Sequence, residues 1–349
     1  MPQLQQAQQA QIMMSDQPEL GWGNARRPIE GPGVQVNKRT GTIQYRSNNG
    51  IWVNSVLRKD EWEALDEAVV ETAGPRTDVF ERIPKVEHTS IGVMEHQYNT
   101  ISQHDAAQVS MTGETPGQTD LTDYNLKGVP LPVIYKQINY GERTLQASRL
   151  KGSGLDVTQV TQATRVVSEE LANMLYNGKA TVNFNGSTVL GLTTETNRNT
   201  GSASGDFGTI SNIYPTVLAM LKALDADNYH GPFEVDIAST QYLECLNRYS
   251  DGSGQTALDA ILQIPGIQAV NSNDQLAAGS LILREIGRDI LEWAQIRMGG
   301  QTVNGLEISL VEWMSGDGFT HHFKVMAIGA PVVKSDYGTQ SGIAHFTGA

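Results

Sequence analysis

The histidines are the side chains of this sequence whose spacing first suggests chemistry. His321 and His322 are adjacent, while His88, His96 and His104 recur at intervals of eight residues in a mixed polar region. Neighbouring residues of a β-strand point to opposite faces, so His321 and His322 cannot readily bind one metal ion. We expect one of them to be packed and the other exposed, and we interpret the three spaced histidines as ordinary loop residues.

The sequence motifs of common enzyme sites are absent. No glycine-rich stretch continues into Gly-Lys-Ser/Thr at Walker spacing, and Gly31-Pro32-Gly33 and Gly152-Ser153-Gly154 lack the rest of a dinucleotide fingerprint. Neither a G-x-S-x-G elbow nor an H-E-x-x-H helix occurs. We therefore predict no catalytic residue, cofactor or metal. An alternative class is a soluble α/β enzyme with dispersed catalytic residues, which would have a discrete pocket and form a small oligomer.

Length and composition indicate a folded protein. The chain has 349 residues, 39% of them hydrophobic, which can bury a core in about two or three domains. Its net charge of −13 and the lack of a Lys/Arg stripe argue against a tight, sequence-independent nucleic-acid binder. Cys245 is the one cysteine, and its setting in QYLECLNRY favours a packed helix face.

Targeting and membrane signals are also missing from the sequence. No apolar run approaches the roughly 18 residues that cross a bilayer, and the N-terminus lacks the basic flank and apolar core of a signal peptide. We expect synthesis and folding in the cytoplasm and no membrane partner.

The secondary-structure elements of the chain are predicted most clearly within residues 131–194. After the strand-like VPLPVIYKQINY and a polar crossing segment, apolar residues recur at spacings of three and four, which predicts a helix roughly 33 Å long lying on a sheet. Asp156 is expected to cap this helix with Gln159 at the reciprocal position, and Asn177-Gly178 to end it before a polar hairpin. The apolar stripe consists of Val157, Val160, Thr164, Val167, Leu171 and Met174.

The N-terminal part of the chain predicts an arm followed by a hairpin. Residues 1–20 are rich in glutamine and have too little apolar surface for a core, so we expect an arm that orders only on docking. Alternation at 34–36 and 43–45, on either side of Lys38-Arg39-Thr40-Gly41, predicts the hairpin. Asn48-Asn49-Gly50 then turns into a strand at 51–53.

A helix follows this hairpin. Asp60 and Glu63 form its predicted capping pair, and Gly74-Pro75 its predicted end. Its apolar stripe is Trp62, Leu65 and Val69.

Two further regions have contrasting patterns. Residues 98–128 are polar and cannot fold alone, and a loop of this length is usually functional or disordered. Residues 189–287 alternate between helical and strand patterns, which indicates a sheet with helical cover. The predicted helices are 213–226, 240–249 and 256–264, and the predicted strands are 233–238 and those around Ile267 and Leu281.

Three stretches resemble the shell-forming proteins of tailed bacteriophages and the related encapsulin nanocompartments, with the Hong Kong ninety-seven type capsid fold. The first is the order of strand, crossing segment, capped spine helix, N-G exit and VLGLTT within residues 129–194. The second, GPFEVDIASTQYLECLNRY at 231–249, resembles the strand, cap and helix of the family's axial domain. The third comprises DILEWAQIRMGG, LEISLVEW and FTHHFKVMAIGAPVV, which resemble its three closing strands.

The resemblance implies an α+β fold in which the axial domain is inserted into a peripheral domain. It implies these boundaries: an N-terminal arm with hairpin at 1–57, the first part of the peripheral domain at 58–97, an extended loop at 98–128, the peripheral domain with the spine helix at 129–187, the axial domain at 188–287 and the closing peripheral strands at 288–349. In this family the extended loop is two-stranded and reaches over a neighbouring subunit.

The implied function is that of a structural major capsid protein, not an enzyme. Copies would form pentamers and hexamers of an icosahedral shell, the virion capsid, which encloses double-stranded DNA without sequence-specific binding. Scaffold, portal and decoration proteins are the implied partners. An encapsulin-type nanocompartment shell is the alternative, although the glutamine-rich arm favours a virus. Some phage shells join a loop lysine to an asparagine of another subunit, but we interpret Lys127 and Lys136 as solvated lysines.

Overall fold

The computed structural model describes residues 34–36, 43–46 and 52–54 and, from 59 to 349, all residues except 103, 105, 108, 110, 113–119, 152–155, 250–253, 316–318, 337 and 339. The predicted arm, the turns at 38–41 and 48–50, and the glycine pairs at 31–33 and 152–154 therefore lie outside the described residues.

The described helices and strands alternate along most of the chain. The helices are α1 (Lys59–Ala73), α2 (Glu142–Lys151), α3 (Thr158–Asn177), α4 (Ile213–Ala226), α5 (Ser239–Cys245) and α6 (Ala257–Leu262), with 3-10 turns at Gly74–Arg76, Asp78–Arg82 and Ile210–Asn212. The strands are β1 (Val34–Val36), β2 (Ile43–Arg46), β3 (Trp52–Asn54), β4 (Lys85–His88), β5 (Glu95–Ile101), β6 (Tyr124–Pro130), β7 (Val133–Gly141), β8 (Lys179–Phe184), β9 (Ser187–Val189), β10 (Asn199–Ser202), β11 (Phe233–Ala238), β12 (Ile267–Asn273), β13 (Ser280–Glu285), β14 (Leu291–Ile296), β15 (Gln301–Val303), β16 (Leu306–Met314), β17 (Thr320–Val333) and β18 (Ile343–Thr347).

The long helix α3 is the predicted spine, and it packs on β7 and β17. Its apolar stripe from Val160 to Met174 is buried, as predicted. Gly178 ends the helix with φ 65°, and its N–H donates to the Met174 carbonyl at 2.9 Å. The predicted cap is wrong, because the N-cap residue is Val157 and Asp156 instead accepts from the Thr158 N–H at 3.0 Å.

One sheet has the order β15-β16-β17-β14-β4, and β7 pairs with the N-terminal part of β17. This confirms the three closing strands predicted from the sequence. Its inner face forms one core with α1 and α3, in which Phe80 and Trp293 meet edge to face at 4.7 Å between ring centroids.

The second sheet has the order β10-β18-β13-β11-β12 and is covered by α4 and α6. The alternation predicted for residues 189–287 is therefore present, with α4 and β11 at the predicted bounds. The segment 288–349, predicted to close the peripheral domain, departs from expectation, since β18 pairs with β13 and β10 in this sheet. Ile343, Ala344 and Phe346 are buried there, but so short an apolar run does not reveal which sheet it joins.

Other differences are local. The polar crossing segment contains α2, a helix that sequence pattern missed because Leu145 is its only fully buried apolar residue among those described. Asp60 lies within the first turn of α1 rather than capping it. Helix α5 ends at Cys245, shorter than the predicted 240–249, while Cys245 is buried as expected.

The N-terminal strands form a separate three-stranded sheet. β1, β2 and β3 form the predicted hairpin and the strand that follows it, with Val34 opposite Tyr45. No helix among the described residues is long and apolar enough to cross a membrane. In the same part of the chain, no three His, Cys, Asp or Glu side chains are grouped so that they could hold a metal ion.

Candidate assembly ribbon and its anchor

Strands β5 and β6 form a two-stranded antiparallel sheet, which we call the ribbon. Its register runs from Glu95 opposite Pro130 to Ile101 opposite Tyr124. The loop predicted at 98–128 is thus a pair of strands that starts at Glu95 and ends at Pro130, slightly outside the expected bounds. Strand β5 contains Gln97, Asn99 and Thr100 and lacks the apolar alternation by which strands are recognised.

The two faces of the ribbon differ in polarity and exposure. His96 and Thr100 point inward and are buried. The opposite face carries Ile101, Tyr124 and Leu126, which are 53%, 69% and 59% exposed. Ile101 and Tyr124 are direct partners in the register, so these side chains form one apolar cluster at the distal end. The ribbon therefore presents apolar surface away from its own chain, the arrangement expected of a contact surface.

The inward face anchors the ribbon to β14 and to the end of β17. His96 Nε2 lies 3.2 Å from Glu292 Oε1, and Lys334 Nζ lies 3.0 Å from the same oxygen. Tyr98 stacks on the His96 ring at 6.4 Å between centroids, and its hydroxyl donates to the Val333 carbonyl at 3.5 Å. Burial raises the pKa of Tyr98 to about 12, so the phenol stays protonated.

Burial alone would oppose ionisation of Glu292, but its partners outweigh that effect. The hydrogen bonds from His96 and Lys334 and the charge of Lys334 lower the pKa of Glu292 to about 2. Arg288 Nε adds a contact at 3.4 Å to the other carboxylate oxygen. A carboxylate that is charged at neutral pH thus holds two strands and a lysine together at the ribbon base.

His88 and His96, interpreted from the sequence as unconnected loop residues, are in direct contact. His88 Nε2 lies 3.0 Å from His96 Nδ1. When His96 donates through Nε2 to Glu292, its Nδ1 must accept from His88, which gives a chain from His88 through His96 to Glu292. Burial and the neighbouring charge of His96 lower the pKa of His88. The third histidine, His104, lies apart with Thr122 and Asp120.

Lys127 is a second anchor, and its interpretation as a solvated lysine is wrong. Its Nζ donates to Ser335 Oγ at 2.8 Å, and Asn197 Nδ2 donates to the same hydroxyl oxygen at 3.0 Å. Burial raises the pKa of the nearby Glu195, although backbone N–H groups and the charge of Lys127 oppose that shift. The Lys127 ammonium is therefore held within its own chain. Lys136 is exposed, as predicted.

The adjacent histidines separate to opposite faces of β17, as the strand geometry predicted. His321 is fully buried, with Nδ1 3.0 Å from Glu312 and Nε2 2.6 Å from Glu142. The hydrogen bond to Glu312 raises the pKa of His321 against the effect of burial, and the bond to Glu142 adds to it. Because Glu142 begins α2, this contact fixes that helix to the sheet. His322 is half-exposed and stacks on Trp313.

A buried polar network joins the spine helix to the five-stranded sheet. The Tyr176 hydroxyl of α3 donates to Asp236 at 3.1 Å, and Asn271 donates to the other oxygen of Asp236 at 3.1 Å. Arg284 lies 3.7 Å from Asp236 and also pairs with Glu234. The spine helix is therefore connected to the five-stranded sheet through buried polar contacts as well as through apolar packing, and Arg284 Nε has no hydrogen-bond partner among the described residues.

The chain is similar in sequence to known proteins. Residues 52–346 match the family described as "Family of unknown function (DUF6260)". The type 1 encapsulin shell protein EncA of Myxococcus xanthus is 24% identical over 239 residues, covering 68% of this chain and 80% of that protein.

Solved structures are similar as well. The virus-like particle of Pyrococcus furiosus matches with a TM-score of 0.57 and 16% identity, over 82% of this chain and 98% of that chain. The capsid of Myoviridae phage XM1 matches with a TM-score of 0.60 and 12% identity, over 78% and 92%. The shared fold is the one that the sequence resemblance predicted.

Proposed function

The chain belongs to the family of unknown function DUF6260 and has the fold of phage capsid and encapsulin shell proteins, and we propose from this premise that it is a major capsid protein of a tailed phage. Copies assemble as pentamers and hexamers into an icosahedral shell that encloses double-stranded DNA without reading its sequence. The virion capsid is then its location, and scaffold, portal and decoration proteins are its further partners. Its role is structural rather than catalytic.

The observation that carries this proposal is the apolar distal face of the ribbon. Ile101, Tyr124 and Leu126 are exposed in the part of the chain that the structure describes, whereas His96, Tyr98 and Lys127 fix the ribbon base. A ribbon held at one end and apolar at the other can pack on a second copy through a heterologous contact. Repeated around fivefold and sixfold positions, many such contacts add up to a stable particle although each is weak.

The test introduces two negative charges into the ribbon by substitution. The double variant Tyr124→Asp/Leu126→Asp places two carboxylates in the apolar cluster, and we expect a folded chain that does not form particles. Asn125→Asp is the matched control, since Asn125 is exposed and points to the opposite face of the same strand. Sedimentation and negative-stain electron microscopy measure particle yield, and circular dichroism measures folding.

Two results would contradict the proposal. One is a normal particle yield from the double variant. The other is a wild-type chain that stays monomeric at high concentration in light scattering, even when supplied with a scaffold protein.

The sequence relation to an encapsulin shell protein favours a second candidate, a shell that encloses protein cargo. Both candidates predict closed particles, so their contents decide between them. Nucleic acid inside purified particles, protected from nuclease, supports the capsid. Particles that contain a co-purifying protein and no nucleic acid support the nanocompartment.

A further inference from the structure

Strand β7 pairs on one side only, and the hydrogen bonds at its two ends show which of its backbone groups face β17. Glu142 N–H donates to the Phe319 carbonyl at 2.8 Å, and Gly329 N–H donates to the Pro132 carbonyl at 3.3 Å. Both bonds join direct partners of the β7–β17 register, in which bonded and non-bonded pairs alternate. The even-numbered residues of β7 therefore turn their backbone groups towards β17.

The odd-numbered residues of β7 turn their backbone groups away from the sheet. Val133, Tyr135, Gln137 and Asn139 are all exposed. In the described part of the chain, no strand pairs with this side of β7 and no hydrogen bond reaches the N–H or C=O groups of these four residues. The strand is nine residues long, and an open edge of this length can accept another strand.

The ribbon has an open edge whose backbone direction matches its apolar face. A hydrogen bond of 3.0 Å from Ser102 N–H to the Asp123 carbonyl joins direct partners of the β5–β6 register. By the same alternation, odd-numbered residues of β6 face β5 and even-numbered residues turn their backbone groups outward. Tyr124 and Leu126, the exposed apolar residues of β6, are therefore also the residues with outward N–H and C=O groups.

We propose that the open edge of β7 in one copy accepts β6 of a second copy by antiparallel strand addition. In this orientation, residues with outward backbone groups oppose each other, and their side chains lie on the same face of the joined sheet. The contact depends on main-chain N–H and C=O groups. It does not need the face of the Tyr135 ring over which Lys324 Nζ lies at 4.5 Å from the centroid.

One register of this pairing places apolar side chains opposite apolar side chains. Tyr124 of the second copy lies opposite Tyr135, and Leu126 of the second copy lies opposite Val133. Val133 and Tyr135 are 48% and 56% exposed, so both have surface to bury. A shift of one residue would put the two apolar pairs on opposite faces of the joined sheet.

The same register also pairs opposite charges on the other face. It places Asp123 of the second copy opposite Lys136. Both residues are exposed, and within the described part of the chain neither forms a salt bridge. A shift of two residues would keep the faces but separate this acid from this base, so charge and apolar pattern select one register.

This inference rests on the proposed function and deepens it, because it names the surface of a second copy that the ribbon contacts. The donor strand β6 and the acceptor strand β7 are different parts of the chain, so each copy can give one strand and accept another. Such heterologous contacts can close into rings.

Cross-linking between two single-cysteine variants tests the register. Asp123→Cys and Lys136→Cys are prepared as separate full-length chains with tags of different size, mixed under assembly conditions and mildly oxidised. Non-bonded partners of an antiparallel pair have Cα atoms about 4.5 Å apart, which permits a disulfide. We expect a mixed dimer on a non-reducing gel. The native Cys245 is buried and does not compete.

Gln137→Cys is the matched control for Lys136→Cys. It lies one residue along the same exposed edge, but its side chain points to the opposite face of the strand. We expect Asp123→Cys to give several-fold less mixed dimer with Gln137→Cys than with Lys136→Cys. Equal yields of the two dimers would overturn the proposal.

A proline substitution tests the main-chain hydrogen bonds. Tyr135→Pro and Tyr135→Thr both remove the ring, but only proline removes the outward N–H. Proline is tolerated on an edge strand where the N–H faces solvent, so both variants should fold, as circular dichroism can show. We expect Tyr135→Thr to form particles and Tyr135→Pro to weaken each contact about tenfold relative to it, with a lower particle yield. If Tyr135→Pro does not fold, the cross-link decides, because its variants keep Tyr135.

Particle formation is scored separately by electron microscopy. Normal particles from Tyr135→Pro would overturn strand addition and leave the proposed function intact. A wild-type chain that forms no particles, together with the specific disulfide between positions 123 and 136, would reject the shell and support the contact between copies. Loss of both would reject both.

Discussion

His96 of the ribbon hydrogen-bonds Glu292 of β14 across 196 positions of sequence, with 3.2 Å between imidazole Nε2 and carboxylate Oε1. This contact joins the ribbon to β14 of the six-stranded sheet. Because His88, Tyr98 and Lys334 meet at the same place, the orientation of the ribbon depends on a small set of ionisable groups.

Glu292→Gln should lower the free energy of unfolding at neutral pH by about 2–3 kcal/mol, because a pKa lowered to about 2 from 4.5 reflects strong stabilisation of the carboxylate. A lowered carboxyl pKa stabilises the fold above the unfolded value and loses that effect as pH falls from 4.5 towards 2. The variant should therefore lose less stability over this acid range. Denaturant titrations of the unassembled chain at several pH values measure both effects.

Glu87→Gln is the control for this experiment. Glu87 lies on the neighbouring strand β4 and forms an exposed pair with Arg297 at 3.2 Å. Such a pair contributes less than about 1 kcal/mol. Equal losses in both variants would contradict the special role of Glu292.

Acid should loosen the base of the ribbon through His88. Its lowered pKa means that the folded state binds the proton less tightly than the unfolded state, so stability is full above the reference value of 6.5 and falls as pH drops below it. We expect residues 95–101 to have lower protection factors at acidic pH, measured as exchange rates corrected for the pH dependence of intrinsic amide exchange.

His88→Gln should remove most of this response, because a glutamine amide can donate to His96 without titrating. His230→Gln, an exposed histidine paired with Asp225, should leave it unchanged. An acid response that persists in His88→Gln would assign it to other groups.

His321 should give the opposite pH dependence. A raised histidine pKa stabilises the fold fully below the reference value of 6.5, and this contribution is lost as pH rises through the folded value. We expect thermal stability to fall from mildly acidic to alkaline pH and His321→Gln to flatten that change, with α2 the first element to lose exchange protection. His322→Gln, one residue away on the opposite face, should keep the wild-type slope.

Gly178→Ala should be more destabilising than Gly186→Ala, although both glycines have positive φ. At Gly186, with φ 83°, an added Cβ meets no atom within 4 Å, so the cost is the backbone strain of about 1 kcal/mol. At Gly178, with φ 65°, the Cβ would lie 2.6 Å from Gly191 N and Val189 O. Backbone must then move, and we expect at least about twice the loss in unfolding free energy. Similar losses in the two variants would contradict this packing.

The sequence predicted the elements whose own residues show a clear apolar spacing or a clear end signal. The spine helix has a buried stripe at helical spacing and a glycine stop, and α4 and β11 have bounds equal to those expected. Helix α2 was not predicted, because polar contacts attach it to the rest of the chain. Glu142 binds His321, and Arg149 forms a buried pair with Glu61, so the helix sequence shows no regular spacing of apolar residues.

The anchor of the ribbon was not predictable for a related reason. Glu292 and Lys334 are remote from His96 in sequence, and nothing in their local patterns shows that β14 and the end of β17 lie under β5. The sequence shows only the spacing of His88 and His96, and this spacing alone predicts separate loop residues.

The position of β18 between β10 and β13 has a consequence for synthesis. Residues 199–202 leave the ribosome well before 343–347, yet in the described sheet their strand partner is that late segment. A nascent chain thus carries an unfinished edge until residues 343–347 have emerged. Translation products that end before residue 343 lack β18. In such an incomplete subunit, β10 and β13 have lost the strand that lies between them before the subunit meets another copy.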